Sequence, residues 1–184
     1  MILLGVTGSI AAYKAVEILR LLMKAGKDVH VVMTPSATKF VGPLTFQGLS
    51  GHPAFADALD PLAYQMAHLS LAEKAESVVI APASAESLSH FARGSAGDLV
   101  SASVLSLPRT TEGQLKTPVF IAPAMHESMW LHPATQVNVK MLKSYGYQFI
   151  GPEKGDLGRT GDSGQGRMAE PEMIVNLLLK RRAR

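Results

Sequence analysis

At 184 residues, 47% of them hydrophobic, the chain has the size of one domain spanning 1–184 with a core of its own. It holds no cysteine, which excludes disulfides, cysteine zinc ligands and a cysteine nucleophile, and which suits the reducing cytoplasm. The net charge of +3, partly carried by the basic tail KRRAR at 180–184, comes without a basic stripe interleaved with aromatics, so nucleic acid is not an expected partner. Nor does any apolar run approach the roughly 18 residues of a membrane span.

MILLGV (1–6) reads as a first strand rather than a secretory leader, because no charged segment precedes it and glycines interrupt it. Residues 11–26 then repeat apolar side chains at helical spacing before Gly26. Further apolar runs predict strands at 28–34, 77–83, 117–125 and 147–152. Helical patterns fill 36–49, 68–76, 86–94, 97–106, 133–146 and 170–182. Short strands that are apolar on both faces and alternate with helices predict a doubly wound α/β fold, flavodoxin- or Rossmann-like, with helices on both sides of a parallel sheet. Ligands of such sheets bind beyond the carboxyl ends of the strands.

Four of those ends carry small, Pro- or hydroxyl-rich turns: TGSIA (7–11), TPSATKF (34–40), APASAES (81–87) and APAMHES (122–128). Gly8 and Ser9 offer a closely approaching backbone and a helix N-terminus suited to phosphate, or equally a tight turn with a Ser cap. The pattern is neither G-x-G-x-x-G nor a Walker loop. Thr34, Ser36 and Thr38 at the second turn, and Ser84 and Ser87 at the third, repeat the ambiguity between ligand and cap. Because the topology brings these turns to one edge, a single phosphorylated cofactor is expected in preference to unrelated caps.

The segments LGVTGSIAAYKA, MTPSATKFVGPLTFQGLSG, HLSLAEKAESVVIAPASAESLSHFARGSAGDLV, APAMHESMW and GDSGQGRM occur in this order over about residues 1–178. Taken together they resemble the homo-oligomeric flavin-containing cysteine decarboxylases. The resemblance implies FMN lined by Gly8, Ser9, Ile10, Ser36, Thr38, Ser84, Ala85, Glu86, Ser87 and Ala124, and a homo-oligomer built as a trimer or a multiple of trimers. It implies oxidative decarboxylation of a C-terminal cysteinyl carboxylate, a small molecule whose first candidate is the coenzyme A precursor 4′-phosphopantothenoylcysteine. The flavin supplies the electron sink that the carboxylate's departure needs, while the protein orients and protonates. His68 matches the family's catalytic histidine, and an imidazole with an ordinary pKa near about 6.5 suits proton transfer around the thiol.

Two departures qualify the match. The family's Pro-Ala-Met-Asn becomes Pro-Ala-Met-His, leaving His126 to hold the substrate carboxylate through an imidazole donor. Residues 155–168 resemble the substrate-covering flap, and their five glycines predict a mobile loop, but Thr160 stands where the coenzyme A enzymes carry a cysteine. Arg167 and Arg159 are candidate phosphate or carboxylate contacts from that flap. Met129 and Trp130 read either as an apolar wall of the site or as core. The alternatives are a peptidyl-cysteine decarboxylase releasing an enethiol, a flavin-binding regulatory subunit without turnover, and a flavin prenyltransferase. No H-x-H, H-E-x-x-H or carboxylate–histidine cluster at metal-ligand spacing occurs, so no metal is expected, and His30, His52, His90 and His132 read as surface or capping residues.

Overall fold

The computed structural model describes residues 1–57, 68–158 and 161–181, apart from the side chains of His68 and Arg181. Five strands form one parallel sheet: β1 (Ile2–Val6), β2 (Val29–Met33), β3 (Ser77–Ala83), β4 (Val119–Pro123) and β5 (Gln148–Phe149), in the order β2-β1-β3-β4-β5. The order reverses direction between β1 and β3, whose register pairs Ile2 with Ser77 and Gly5 with Ile80.

Alternation along each strand sorts the side chains into two cores. Ile2, Leu4, Val6, Val79, Ala81, Phe120 and Ala122 face one side. Leu3, Val78, Ile80, Val119 and Ile121 face the other. The first core is closed by α1 (Tyr13–Lys24), α2 (Pro43–Ser50) and α8 (Pro171–Arg181) through Ile18, Leu22, Phe46 and Ile174. The second is closed by α3 (His68–Lys74), α4 (Ala85–Arg93), α5 (Leu99–Leu105), α6 (Glu127–Trp130) and α7 (Pro133–Ser144) through Leu71, Leu88, Val104, Trp130 and Leu142. The expected doubly wound α/β architecture is therefore present.

Three expectations need correction or limits. The helix predicted over 36–49 is divided into a short 3-10 turn, Ala37–Lys39, and α2, because extended Gly42 leads into Pro43, which cannot donate a helical hydrogen bond and is tolerated only at the start. The stretch predicted as a flap loop at 155–168 forms most of an antiparallel hairpin, β6 (Glu153–Asp156) with β7 (Ser163–Arg167). Of the tail at 180–184, residues 180 and 181 close α8, and 182–184 lie outside the described residues. Among the described residues no helix is long and apolar enough to cross a membrane.

Candidate active site

The four strand-end turns converge at the carboxyl edge of the sheet and are tied to one another. Thr7, fully buried after β1, donates its hydroxyl to the Pro82 carbonyl at 2.8 Å and accepts the Ser84 N–H at 2.9 Å, so one side chain staples the β1 and β3 turns. Ser9 Oγ donates to the Ala124 carbonyl at 3.4 Å, and the Ala124 N–H donates to the Ala83 carbonyl at 3.1 Å, which adds the β4 turn. The Thr34 N–H reaches the Val6 carbonyl at 3.0 Å, and Ser36 packs against Gly8 so closely that a Cβ on Gly8 would lie 2.5 Å from Ser36 Oγ. Glycine at position 8 is thus required by the neighbouring turn.

Ser9 and Ser84 each cap a helical turn and also border the cavity. Ser9 caps the 3-10 turn Ile10–Ala12 through the Ala11 N–H, and Ser84 caps α4 through the Ser87 N–H at 3.2 Å. Between these turns opens a cavity of about 690 Å³, within the usual range for small-molecule sites. Of the residues proposed from sequence, Gly8, Ser9, Ile10, Ser84, Ala85, Ala124, His126 and Arg167 line it. Ser36, Thr38, Glu86 and Ser87 do not. Ser36 bonds the Thr34 hydroxyl, Thr38 donates to the Pro35 carbonyl, Glu86 projects outward from the first turn of α4, and Ser87 is buried against Ser84. Met129 joins the lining while Trp130 belongs to the core, which separates two adjacent residues that shared one expectation. His68 opens α3, but its side chain, like Arg159 and Thr160, lies outside the described residues.

The hairpin walls the cavity and is docked on the β4 turn. The Met125 N–H donates to the Gly166 carbonyl at 3.0 Å, and the Gln165 N–H donates to Glu127 Oε1 at 2.7 Å. A Cβ on Gly166 would run into the Met125 carbonyl, and one on Gly164 would lie 2.7 Å from the Glu127 carboxyl carbon. These two glycines serve close approach, a requirement that their density in the sequence leaves indistinguishable from mobility.

His126, which stands where the resemblance expects an asparagine, makes two contacts through its ring. Its Nδ1 accepts the Ser128 N–H at 3.2 Å, capping α6, which leaves Nε2 to carry the proton of the neutral ring. Nε2 lies 3.8 Å from Asp162 of the hairpin, at the cavity's rim.

Sequence reasoning missed Lys14. It lines the cavity from the first turn of α1 with its side chain only 11% exposed, and its ammonium lies 3.0 Å from Glu170, which also pairs with Arg167. The hydrogen bond from Lys14 holds the Glu170 carboxyl below its ordinary range, aided by the attraction of both cations. A lysine flanked by apolar residues in AAYKAV was the available signal, but its partner lies 156 residues away. Chemically, the site combines an apolar wall from Ile10, Met129, Leu157 and Met168, two helical-turn N-termini at Ser9 and Ser84, and a basic end at Lys14 and Arg167. Such a set accommodates a flat apolar ring with an anionic appendage.

Comparison with known proteins gives a consistent picture. A sequence profile of the Flavoprotein family matches residues 1–183. The "Coenzyme A biosynthesis bifunctional protein CoaBC" of Haemophilus influenzae is 43% identical over 178 residues, covering 96% of this chain and 42% of that protein. The "Probable phosphopantothenoylcysteine decarboxylase" of Streptococcus mutans is 41% identical over 177 residues, covering 95% of this chain and 94% of that one. A solved PPC decarboxylase mutant complexed with pantothenoylaminoethenethiol superposes with a TM-score of 0.85 at 28% identity, covering 100% of this chain and 98% of the other. The chain thus spans less than half the length of the bifunctional relative and nearly all of the shorter one.

Proposed function

The chain belongs to the Flavoprotein family, and from that premise we propose that it binds FMN and decarboxylates 4′-phosphopantothenoylcysteine to 4′-phosphopantetheine. The observation that carries this reading is the cavity at the reversal of strand order between β1 and β3, the position at which flavodoxin-like sheets of order 2-1-3-4-5 hold FMN. The 41% and 43% identity to proteins named for this decarboxylation and for coenzyme A biosynthesis supports that choice of substrate.

In this account Gly8, Ser9, Ile10, Ser84, Ala85 and Ala124 hold the flavin, and Ser36, Thr38 and Ser87 keep their turns in place around it. FMN held by these residues would supply two-electron redox chemistry, taking two electrons from the thiol-bearing carbon so that a thioaldehyde can stabilise the charge left by CO₂, and giving the same two back for the saturated thiol. The remaining work falls to side chains. His126 donates from Nε2 to the substrate carboxylate and so orients it, a role its Nδ1 cap leaves open. His68 moves the proton at the substrate thiol. Arg167, fixed by Glu170, contributes positive charge at the hairpin side, and the hairpin excludes water. Thr160, a poor proton donor beside the cysteine of related enzymes, makes the final reduction to the thiol the step most exposed to this chain's departures.

The protein works in the cytoplasm as a homo-oligomer, a trimer or a multiple of trimers. Phe40 and Leu44, 50% and 79% exposed beside the second turn, provide apolar surface that another copy would cover.

The test is incubation of the FMN-loaded protein with 4′-phosphopantothenoylcysteine and, separately, with a peptide ending in cysteine, followed by mass spectrometry. Loss of CO₂ from the former with a saturated thiol product supports the proposal. An enethiol product from the peptide alone would reassign the chain to peptidyl-cysteine decarboxylation. Turnover unchanged in His68→Asn would remove that residue from the mechanism.

A further inference from the structure

At the amino end of the sheet, opposite the cavity, three side chains distant from the proposed chemistry meet. Asp28 precedes β2 and His30 lies within it, two residues apart on extended chain, so both leave on the same side. His52, just beyond α2, is pinned there by Ser50, whose hydroxyl accepts the His52 N–H at 3.1 Å and donates to the His52 carbonyl at 3.1 Å. The Asp28 carbonyl is equally fixed, accepting the Ile2 N–H at 2.7 Å. His52 Nε2 lies 2.8 Å from one Asp28 oxygen and His30 Nε2 lies 3.6 Å from the other. One donor atom from each of the three falls within 4.8 Å of the rest.

We propose that Asp28, His30 and His52 form a binding site for a divalent transition-metal ion, with Zn²⁺ as the reference ion, ligated by both Nε2 atoms and a carboxylate oxygen. Two imidazoles and one carboxylate suit Zn²⁺ and its borderline neighbours rather than Mg²⁺ or Ca²⁺, which prefer oxygen alone. Bonds of about 2.0–2.2 Å to a tetrahedral ion place donors roughly 3.3–3.6 Å apart, whereas the two Nε2 atoms here lie 2.8 and 3.6 Å from separate Asp28 oxygens and all three donors lie within 4.8 Å, so modest side-chain adjustment brings them to the ion. Ligation needs each Nε2 unprotonated, so the proton by which His52 Nε2 donates to the Asp28 carboxylate moves to Nδ1 or leaves to solvent as the ion enters.

Binding requires one local movement. The two rings stack with centroids 4.0 Å apart and planes 16° from parallel, whereas each imidazole lone pair lies in its own ring plane. His52, with a side chain 38% exposed, has room to turn about χ2 toward the ion, while His30, 14% exposed, stays in place. Solvent water completes the coordination on the open side. The ion would tie the start of β2 to the end of α2 and so stabilise the fold, independently of any reaction at the far edge of the sheet.

Equilibrium dialysis of the purified, flavin-loaded protein against Zn²⁺, followed by metal analysis, tests this. The wild type retains one equivalent per chain. His52→Ala weakens binding by at least about tenfold, the lower bound seen even for outer-shell partners, and Asp28→Asn does likewise. His132→Ala, which alters an exposed histidine elsewhere, retains the ion. The thermal midpoint rises with Zn²⁺ in the wild type and not in His52→Ala. No zinc on the wild type, or stoichiometry and affinity unchanged by both Asp28→Asn and His52→Ala, would overturn the proposal and leave the trio as a hydrogen-bonded cluster.

Discussion

Replacing Thr7 by Val would cut the staple between the β1 and β3 turns while preserving the shape of the side chain. The Thr7 hydroxyl is the partner of the Pro82 carbonyl at 2.8 Å and of the Ser84 N–H at 2.9 Å, in a place with no solvent exposure. Pro82 retains the Thr7 backbone N–H at 3.3 Å, so its carbonyl is not wholly abandoned, but the Ser84 N–H loses the partner seen here. One stranded, part-buried donor plus one weakened acceptor costs about 2 kcal/mol, within the 1–3 kcal/mol range for such losses. For a chain of this length that corresponds to a fall of roughly 4–8 °C in thermal midpoint. Because Ser84 borders the cavity, the same substitution weakens FMN binding, read by flavin fluorescence titration. Thr7→Ser keeps the hydroxyl and retains most of the affinity. Equal behaviour of Thr7→Val and wild type, or equal losses in Thr7→Val and Thr7→Ser, would refute the stapling argument.

Gly8→Ala forces a methyl to 2.5 Å from Ser36 Oγ and 2.7 Å from its Cβ, an overlap of the kind that costs about 1–3 kcal/mol, and Ser36→Gly removes both atoms. Flavin affinity of the double variant is expected to exceed that of Gly8→Ala, and strictly additive losses would contradict the contact. His126→Asn keeps a cap for Ser128 and a donor for the substrate, so KM shifts little, whereas His126→Leu raises KM by at least about tenfold because a carboxylate loses its charge-assisted partner. Glu170, held below its ordinary value chiefly by Lys14, stabilises the protein above the unfolded carboxyl value of about 4.3 and loses that contribution as pH falls through the depressed folded value. The difference in thermal midpoint between wild type and Glu170→Gln is therefore present at neutral pH and vanishes in acid.

Sheet and layers were legible because each core strand carries a short apolar run bounded by turn residues, and both faces need covering. The hairpin was not. EKGD and SGQGR contain no β-branched or aromatic residue, and their pairing rests on docking to Met125 and Glu127, which local composition cannot reveal. The break at Gly42-Pro43 was visible as a helix-start signal, yet the flanking apolar spacing concealed it. At the site, Gly8, Ser9, Ser84, Ala85 and Ala124 were identifiable from strand-end chemistry together with family resemblance. Lys14 was not, since a buried cation is defined by its distant carboxylate. Ser36 and Ser87 bond within their turns and do not line the cavity, because hydroxyls at strand ends hold turns together as readily as they hold ligands. The pair Asp28 and His30 displays the i, i+2 spacing of one strand face, but the third donor arrives only through the return of α2.

Turns distant in sequence converge at the β1/β3 reversal, and a crystal structure of the FMN-reconstituted protein shows whether they hold the flavin. The expected flavin density is bounded by Ser9 after β1, Ser84 and Ala85 after β3, and Ala124 after β4, with the β6–β7 hairpin alongside. Flavin bound elsewhere on the chain, with that cavity filled by solvent, would contradict it.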